Sequence, residues 1–239
     1  MQTTDLHTKF ISLIDLTTLS DDDTPQLIEQ LCQKAQTVKG NVAAVCFYPQ
    51  FVALAKEKLQ GTGIKVATVA NFPKAQDDLD SVIKEITQSI KDGADEIDVV
   101  TPYHLYLNGD GNNAAKQFLQ ACRECCGKQA DLKVILESGA LQDPALIAKA
   151  SNDALDAGAD FLKTSTGKVA IGATPEAAMV MLNAIKQSGK DVGFKASGGV
   201  RTADDAMTYY QMAVDIMGEA WVTPSHLRFG ASSLLDNLL

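Results

Sequence analysis

Short apolar segments alternate with longer amphipathic segments along the whole chain. This alternation predicts strands followed by helices, and repeated βα units place their strands parallel in one sheet. Eight units in 239 residues average about 30 residues each, the size of a βα module. We therefore predict one α/β domain over residues 1–239, a single (β/α)8 TIM barrel rather than an open doubly wound sheet. The predicted strands lie near residues 13–16, 43–47, 65–69, 96–100, 133–136, 161–163, 193–195 and 227–229, and the predicted helices near 24–36, 49–59, 77–92, 113–127, 144–157, 175–188 and 203–217.

Several predicted helix boundaries coincide with residues that start or stop helices. A proline follows a capping residue at Thr24, Asp143 and Thr174, which is typical of a first helical turn. Gly93 and Gly158 end two of the predicted helices, and each opens the same three-residue sequence, Gly-Ala-Asp. This repeated sequence supports a repeated αβ unit.

The charge balance and the cysteines limit the partners and the compartment. The 21 basic and 30 acidic residues give a formal net charge of −9, which disfavours binding to nucleic acid or to an anionic membrane. The five cysteines are an odd number and three crowd together, which is a poor disulfide framework. The N-terminus has no apolar signal segment. We therefore expect a cytoplasmic protein whose anionic ligands are held by a few local positive groups.

Three predicted strands carry a charge where a barrel interior expects an apolar side chain. The residues are Asp98, Lys163 and Lys195, and each lies toward the C-terminal end of its strand. Because side chains alternate along a strand, these three point inward while their apolar neighbours pack against the helices. The C-terminal ends of the strands form the active-site face of a TIM barrel. The three charges therefore predict a catalytic site.

Two lysines on neighbouring strands would change each other's proton affinity. Paired strands lie about 4.8 Å apart, so the two ammonium groups could stand roughly 5 Å apart. At an effective dielectric constant near 20 their repulsion is roughly 3 kcal/mol, worth about 2.4 pKa units on one lysine. We expect repulsion to supply most of the shift toward neutrality and partial burial the rest. This argument does not choose between Lys163 and Lys195.

A neutral lysine beside a lysine ammonium suits Schiff-base chemistry. The neutral amine attacks a carbonyl, and the protonated imine accepts electrons when a carbon–carbon bond breaks. Such chemistry needs neither a metal nor another cofactor. The alternative is a purely structural Lys–Asp–Lys ion network that caps the barrel.

Two glycine-containing loops after the seventh and eighth strands predict an anion site. The loops are 197–202, with Gly198 and Gly199, and 230–233, and loops at these places are the usual phosphate site of TIM barrels. Glycines let backbone N–H groups approach an oxyanion, and a following helix N-terminus favours negative charge. Of the three arginines, Arg201 and Arg228 lie beside these loops. The alternative is ordinary turn chemistry.

The histidines and most of the cysteines do not form a metal or redox pattern. His7, His104 and His226 are scattered, and no pair has the spacing of metal ligands. The cysteines at 122, 125 and 126 fall within a predicted helix, where packing is the favoured role. Cys46 ends the second strand, and we expect it to line the substrate pocket without reacting.

At these residues the sequence resembles the deoxyribose-phosphate aldolases, a family of class I aldolases. The resemblance extends over nearly the whole chain, from 16–19 to 229–233. Its most specific parts are Phe-Leu-Lys-Thr-Ser-Thr-Gly-Lys at 161–168 and Phe-Lys-Ala-Ser-Gly-Gly-Val-Arg at 194–201. Glu-Ile-Asp-Val-Val at 96–100 and Ala-Asn-Phe-Pro at 70–73 also match.

The resemblance implies reversible cleavage of 2-deoxy-D-ribose 5-phosphate to D-glyceraldehyde 3-phosphate and acetaldehyde, in deoxynucleoside catabolism. It implies that Lys163 is the Schiff-base lysine, that Lys195 lowers its pKa, and that Asp98 and Asp15 assist a water-linked proton relay. The implied partner is a small phosphosugar, with a homodimer as a candidate assembly. The implied substrate and phosphate residues are Thr17, Cys46, Gly167, Lys168, Gly198, Gly199, Arg201, Ser232 and Ser233.

Two departures from the family pattern bear on these expectations. Ala75 stands where family members often have glycine, so the loop after the third strand is expected to differ in shape. The chain ends at Leu239, whereas some members have a longer tail ending in tyrosine, so help from such a tail in proton transfer is expected to be absent. Two rival functions remain: a Schiff-base aldolase or transaldolase-like barrel with another donor, and a non-catalytic phosphosugar-binding barrel.

Overall fold

Eight parallel strands close into a barrel in the computed structural model of the protein, which describes residues 3–109 and 113–239. Each strand pairs with its sequence neighbours, and the first strand pairs with the last. The predicted (β/α)8 architecture and all eight predicted strands are confirmed. The strands are β1 (Ile14–Thr17), β2 (Ala44–Phe47), β3 (Lys65–Ala70), β4 (Glu96–Val100), β5 (Asp131–Ile135), β6 (Phe161–Lys163), β7 (Gly193–Ser197) and β8 (Leu227–Ala231).

Helices cover the outside of the barrel, and all seven predicted helices are present. The side chains of Thr24, Asp143 and Thr174 accept hydrogen bonds from the first turns of their helices, as the sequence indicates. Four further short helices were not predicted, at the N-terminus, after β4, after β5 and after β8. The helices are α1 (Thr3–Ile11), α2 (Pro25–Lys34), α3 (Val52–Lys58), α4 (Leu79–Lys91), α5 (Tyr103–Leu107), α6 (Ala114–Cys126), α7 (Ser138–Leu141), α8 (Pro144–Ala157), α9 (Pro175–Ser188), α10 (Ala203–Met217) and α11 (Leu234–Leu238).

Two predicted helices are shorter than expected for local reasons. Residues 36–37 leave the second helix and pair with 40–41 in a two-stranded hairpin, where Gly40 turns the chain at a φ of +117°. The helix predicted from residue 49 starts with a 3-10 turn at Pro49–Phe51 and becomes α-helical at Val52. In residues 3–109 and 113–239, no helix is long and apolar enough to span a membrane.

The main hydrophobic core lies between the barrel and its helices. Ile97, Val99, Leu162 and Phe194 are buried there, so alternation along the strands places their charged neighbours inside the barrel. The predicted division into two faces is therefore correct. It places Lys163 beside Lys195 in the register of β6 and β7.

The loop after β3 contains the alanine that replaces the usual glycine. Ala75 adopts a φ of +56°, in the left-handed region, which costs a non-glycine residue roughly 1–2 kcal/mol. Its methyl group is buried with Val100 and Ile135. Asn71 also holds the loop, because its side-chain amide donates to Val100 O at 2.7 Å. An altered loop shape relative to the family stays a prediction.

Candidate active site

Two buried lysines share one carboxylate oxygen inside the barrel. Lys163 Nζ and Lys195 Nζ each lie 2.7 Å from Asp98 Oδ2, so the two nitrogens cannot be farther apart than twice that distance. Lys195 Nζ also lies 2.6 Å from Asp15 Oδ2. The side chain of Lys163 is 3% exposed and those of Lys195 and both aspartates are fully buried. The structure thus brings together the four residues that the sequence assigned to catalysis.

The charged cluster continues toward the N-terminal end of the barrel. Lys133 contacts Glu96, and its Nζ lies 3.2 Å from Asp15 Oδ2 and 3.4 Å from Asp98 Oδ1. The guanidinium of Arg228 lies 2.5 Å from Asp15 Oδ1 and 3.0 Å from Glu96 Oε1. These three further residues, Glu96, Lys133 and Arg228, were not assigned to the site from the sequence.

The unequal sharing of carboxylates distinguishes the two lysines. Burial is the largest influence on Lys163 and lowers its pKa; Asp98 opposes this and Lys195 adds to it. Burial also acts on Lys195, but Asp15 and Asp98 outweigh it and hold its pKa above the usual value. The expectation that repulsion between the lysines supplies most of the pKa shift is therefore wrong, because burial lowers the pKa of Lys163 more than Lys195 does. Lys163 is the lysine inclined to be neutral, a choice that the sequence argument left open.

The carboxyl groups of Asp98 and Asp15 have lowered pKa values. Lys133, Lys163 and Lys195 keep the pKa of Asp98 below its usual range despite complete burial. Lys133, Lys195 and Arg228 act in the same way on Asp15. Both aspartates are therefore ionised at neutral pH and can stabilise adjacent ammonium groups.

A cavity of about 380 Å³ opens above Lys163 at the C-terminal face of the barrel. Loops after β1, β6, β7 and β8 form its walls. Seven residues predicted to bind substrate or phosphate line it, and all of them lie at the C-terminal end of a strand or in the loop that follows it. They are Thr17, Gly167, Lys168, Gly198, Gly199, Arg201 and Ser232.

Two glycines expose backbone N–H groups in this cavity. Gly198 and Gly199 have φ values of +82° and +105°, which glycine adopts readily. Within the described part of the chain, neither N–H donates a hydrogen bond. Gly172 packs against this turn so closely that an added Cβ would lie 2.0 Å from Gly198 O. The free N–H groups, with Lys168 and Arg201 on the same cavity, can hold a small oxyanion.

Comparison with known proteins decides the family. The sequence model of the DeoC/LacD family aldolases matches residues 9–239. The chain belongs to this aldolase family. A solved candidate deoxyribose-phosphate aldolase from Coccidioides immitis is 29% identical with a TM-score of 0.84, and the match covers 96% of this chain and 85% of that chain.

Two further solved structures resemble this aldolase. The tetrameric deoxyribose-phosphate aldolase from Aeropyrum pernix is 27% identical with a TM-score of 0.79, over 99% of this chain and 91% of that chain. A candidate deoxyribose-phosphate aldolase from Toxoplasma gondii is 24% identical with a TM-score of 0.89, over 99% of this chain and 94% of that chain. The latter likeness establishes the fold alone.

Two residues predicted to bind substrate are not on the cavity surface of the aldolase. Among the described residues that line the cavity, neither Cys46 nor Ser233 is present. Cys46 is fully buried in an apolar cluster on the inner face of the barrel, near the buried lysines, where burial raises the pKa of its thiol to about 11. Ser233 lies one residue beyond the cavity lining, at the start of α11.

The aldolase also departs from expectation in the source of positive charge for an anion. Arg228 points into the barrel and pairs with Asp15 and Glu96, so it is not part of the phosphate loops. The N-terminus of α10 is already capped, because Asp205 accepts hydrogen bonds from the N–H groups of Arg201 and Thr202. The groups left to hold an anion are the free loop amides and the local cations.

A buried glutamate joins two loops of the aldolase site and was missed in the sequence. Glu137 follows β5 with a φ of +54°, and its carboxylate accepts a hydrogen bond of 2.5 Å from Thr166 Oγ1. Thr166 Oγ1 accepts in turn from the N–H of Lys168 at 3.0 Å. Burial raises the pKa of Glu137, and the charge of Lys163 opposes this rise.

Signals for the missed residues were present in the sequence. Glu96 lies two residues before Asp98 and therefore shares its inward face, and Glu137 lies just beyond the C-terminal end of a strand. Lys133 and Arg228 are likewise charged residues within predicted strands. Among the described residues, no group of three or more His, Cys, Asp or Glu side chains is arranged to hold a metal ion.

Proposed function

We propose that this aldolase reversibly cleaves 2-deoxy-D-ribose 5-phosphate to D-glyceraldehyde 3-phosphate and acetaldehyde through an imine on Lys163. The observation that carries the proposal is one lysine, inclined to neutrality by burial, at the base of a cavity whose rim presents free loop amides. The amine suits an aldehyde carbon, and the rim suits a phosphate. The 27% and 29% identical relatives named for this reaction support the choice of substrate.

In the cleavage direction the neutral amine of Lys163 adds to C1 of the open-chain sugar. Loss of water gives a protonated imine, which draws electrons toward nitrogen. Removal of the C3 hydroxyl proton makes C3 a carbonyl, and the C2–C3 bond breaks. The electron pair of that bond becomes the enamine double bond between C1 and C2. Breakage at C2–C3, rather than C3–C4, follows because only C2 is adjacent to the imine carbon.

The three-carbon product, D-glyceraldehyde 3-phosphate, leaves first. Protonation of the enamine at C2 restores the imine, and water hydrolyses it to acetaldehyde and free Lys163. Lys195 is the acid nearest to this nitrogen, since both lysines contact Asp98 Oδ2. Asp98 and Asp15 hold Lys195 protonated and connect it to the reacting atoms, with water completing the proton relay.

The phosphate group occupies the rim of the cavity in this proposal. Gly198 and Gly199 donate through their N–H groups, and Lys168 and Arg201 supply positive charge. Gly167 and Ser232 complete the surface around the phosphate. Thr17 faces the sugar from the end of β1, where its hydroxyl donates to Asp15 O at 2.8 Å.

The proposed setting is deoxynucleoside catabolism in the cytoplasm, as one folded domain. A homodimer is the proposed assembly, and the tetramer of the Aeropyrum pernix relative makes a larger assembly the competing result. Measurement of the mass in solution distinguishes the two.

A trapping experiment tests the proposed nucleophile. The protein is exposed briefly to dilute acetaldehyde and borohydride at neutral pH, where exposed lysines are protonated and react slowly. We expect one ethyl group, mapped by peptide mass spectrometry to Lys163. Lys163→Met is the control and should abolish this adduct. An adduct mapped to Lys195 or Lys133, or no adduct in the unaltered protein, would reject the assignment.

Turnover separates the proposed reaction from its rivals. We expect the protein to release acetaldehyde from 2-deoxy-D-ribose 5-phosphate and, in reverse, to accept acetaldehyde in preference to dihydroxyacetone phosphate as the donor. Preference for dihydroxyacetone phosphate would indicate the aldolase with another donor. Binding of the sugar phosphate without turnover would indicate the non-catalytic barrel.

A further inference from the structure

The ion cluster reaches well below the cavity that holds the proposed chemistry. We call Glu96, Lys133 and Arg228 the lower ion cluster. Among the described residues that line the cavity, none of the three is present. Their side chains are at most 6% exposed, and the ring of Phe161 packs against both cations, 5.6 Å from Lys133 Nζ and 5.5 Å from Arg228 Cζ. The lower ion cluster therefore lies buried below the surface of the cavity and does not contact a substrate held there.

The groups inside the barrel that are joined by direct ion contacts do not balance if every one of them is ionised; Glu137 also faces Lys163, and burial raises the pKa of its carboxyl. The cations are Lys133, Lys163, Lys195 and Arg228, and the carboxylates that contact them are those of Asp15, Glu96 and Asp98. Burial of an uncompensated charge is costly, so the cluster favours loss of one proton from a cation. Arginine does not deprotonate in proteins, so the proton leaves a lysine.

The contacts decide which lysine loses the proton. Lys133 contacts three carboxylates and Lys195 contacts two. Within the part of the chain that the structure describes, Lys163 contacts one, and it shares that oxygen with Lys195. Lys133 and Arg228 thus contact both oxygens of Glu96, both oxygens of Asp15 and Oδ1 of Asp98. Of the three lysines, Lys163 is left with the least negative charge in direct contact.

We propose that Glu96, Lys133 and Arg228 are positioning residues that set the charge state of Lys163 from below the substrate cavity. Lys133 acts through the two carboxylates that it shares with the upper lysines, and Arg228 acts through Asp15. Glu96 acts in the opposite sense, because it is the carboxylate that holds both lower cations. The inference rests on the proposed function in one respect only, namely that the neutral amine of Lys163 forms an imine with the substrate.

The other groups that face Lys163 remain in place when the lower ion cluster is altered. They come from β1, β2, β4, β7 and the loop after β5, and a variant of the lower cluster changes none of them. They are Asp15, which acts through Lys195, together with Cys46, Asp98, Lys195 and Glu137.

Two single substitutions test the proposal by the sign of their effects. The pH dependence of Lys163 acetylation by acetic anhydride is followed by peptide mass spectrometry, which reports its pKa without requiring turnover. Lys133→Met removes a positive charge, so we expect the midpoint to rise by about one pH unit. Glu96→Gln removes a negative charge, so we expect it to fall by about one pH unit. The double variant should return to within a few tenths of a unit of the original midpoint.

A surface variant and a second lower-cluster variant complete the design. Lys116→Met removes an exposed cation that pairs with Asp156, and we expect no shift in the midpoint. Arg228→Gln should raise the midpoint, as Lys133→Met does, and it replaces Lys133→Met if that variant does not fold. Shifts of the same sign for Glu96→Gln and the cation variants, or no shift in folded protein, would overturn the proposal.

Failure of the proposed function gives a different result. If 2-deoxy-D-ribose 5-phosphate is not turned over but the opposite shifts occur, the reaction is wrong and the charge coupling stands. If turnover and trapping at Lys163 occur without the shifts, the reaction stands and the lower ion cluster is only structural.

Discussion

Two chemically identical side chains differ in proton affinity because their neighbours differ. Lys163 and Lys195 are both buried, and burial lowers the pKa of any lysine. Asp15 and Asp98 hold the pKa of Lys195 above its usual value. Among the described residues, Lys163 contacts one carboxylate oxygen, Asp98 Oδ2, and it shares that oxygen with Lys195. At the scale of the residue, the lowered pKa of Lys163 is therefore a consequence of burial with few carboxylate contacts.

Replacement of Lys163 should stabilise the fold while it abolishes imine formation. The fold lowers the pKa of Lys163 below 10.5, so at pH 7 burial of this side chain costs free energy. We expect Lys163→Met to raise the free energy of unfolding at pH 7 by about 1 kcal/mol, measured by urea denaturation. The gain should shrink as the pH approaches 10, where the lysine of the unfolded chain also begins to lose its proton. A lower stability at pH 7 would contradict this account of Lys163.

The loops after β5, β6 and β7 act as one unit at the scale of the element. Glu137, Thr166 and the N–H of Lys168 form a continuous hydrogen-bonded chain from the end of β5 to the rim of the cavity. Gly172 packs against Gly198 and thus connects the loop after β6 to that after β7. The loops proposed to hold phosphate are in this way fixed to one another by hydrogen bonds and close backbone packing.

Loss of the Thr166 hydroxyl should weaken recognition of the phosphate specifically. Thr166→Val keeps the shape of the side chain, leaves the Lys168 N–H without its acceptor, and leaves Glu137 with only the backbone N–H of Thr166 as a donor. The cost of an unsatisfied buried group is about 1–3 kcal/mol, so we expect KM for 2-deoxy-D-ribose 5-phosphate to rise about tenfold. KM for unphosphorylated 2-deoxy-D-ribose should be unchanged. The control is Thr208→Val, the same change on the exposed face of α10. Equal losses for both sugars would contradict a role for Thr166 at the phosphate.

Closure of the barrel creates the charged interior at the scale of the whole molecule. Asp15 and Arg228 come from the first and last strands, and they meet residues of β4 and β5 across the barrel. Removal of Asp15 or Arg228 leaves partners buried and uncompensated, which typically costs 3–5 kcal/mol. The chain thus has a large part of its stability tied to the ionisation of a few buried groups.

The pH dependence of stability should show a plateau with two limits. The fold lowers the pKa of Asp15 and Asp98 below 3.8, so their contribution is present above that pH and is lost as the pH falls below it. The fold raises the pKa of Lys133 and Lys195 above 10.5, so their contribution is present below that pH and is lost at higher pH. We expect the thermal midpoint to be nearly constant from about pH 5 to 10 and to drop by several degrees beyond each limit.

Salt provides the control for this plateau. Surface ion pairs are screened by 0.5 M NaCl, whereas buried pairs are screened much less. The midpoint within the plateau should therefore change little with added salt. A midpoint that falls with salt, or that stays constant from pH 4 to pH 3, would show that exposed pairs rather than the buried cluster control stability.

The sequence by itself determined the eight strands, the main helices and the side on which each strand residue lies. These features depend on local periodicity, and Asp98, Lys163 and Lys195 could be placed inside the barrel by alternation alone. Short elements such as α5 and α7 escaped because four or five residues carry too little periodicity. Only the tertiary structure decided that Lys163 rather than Lys195 is short of carboxylates, that Arg228 pairs with Asp15 and Glu96, and that Cys46 is buried below the surface of the cavity. The physical reason is that these outcomes depend on distances between strands far apart in the chain, which are set when β1 pairs with β8.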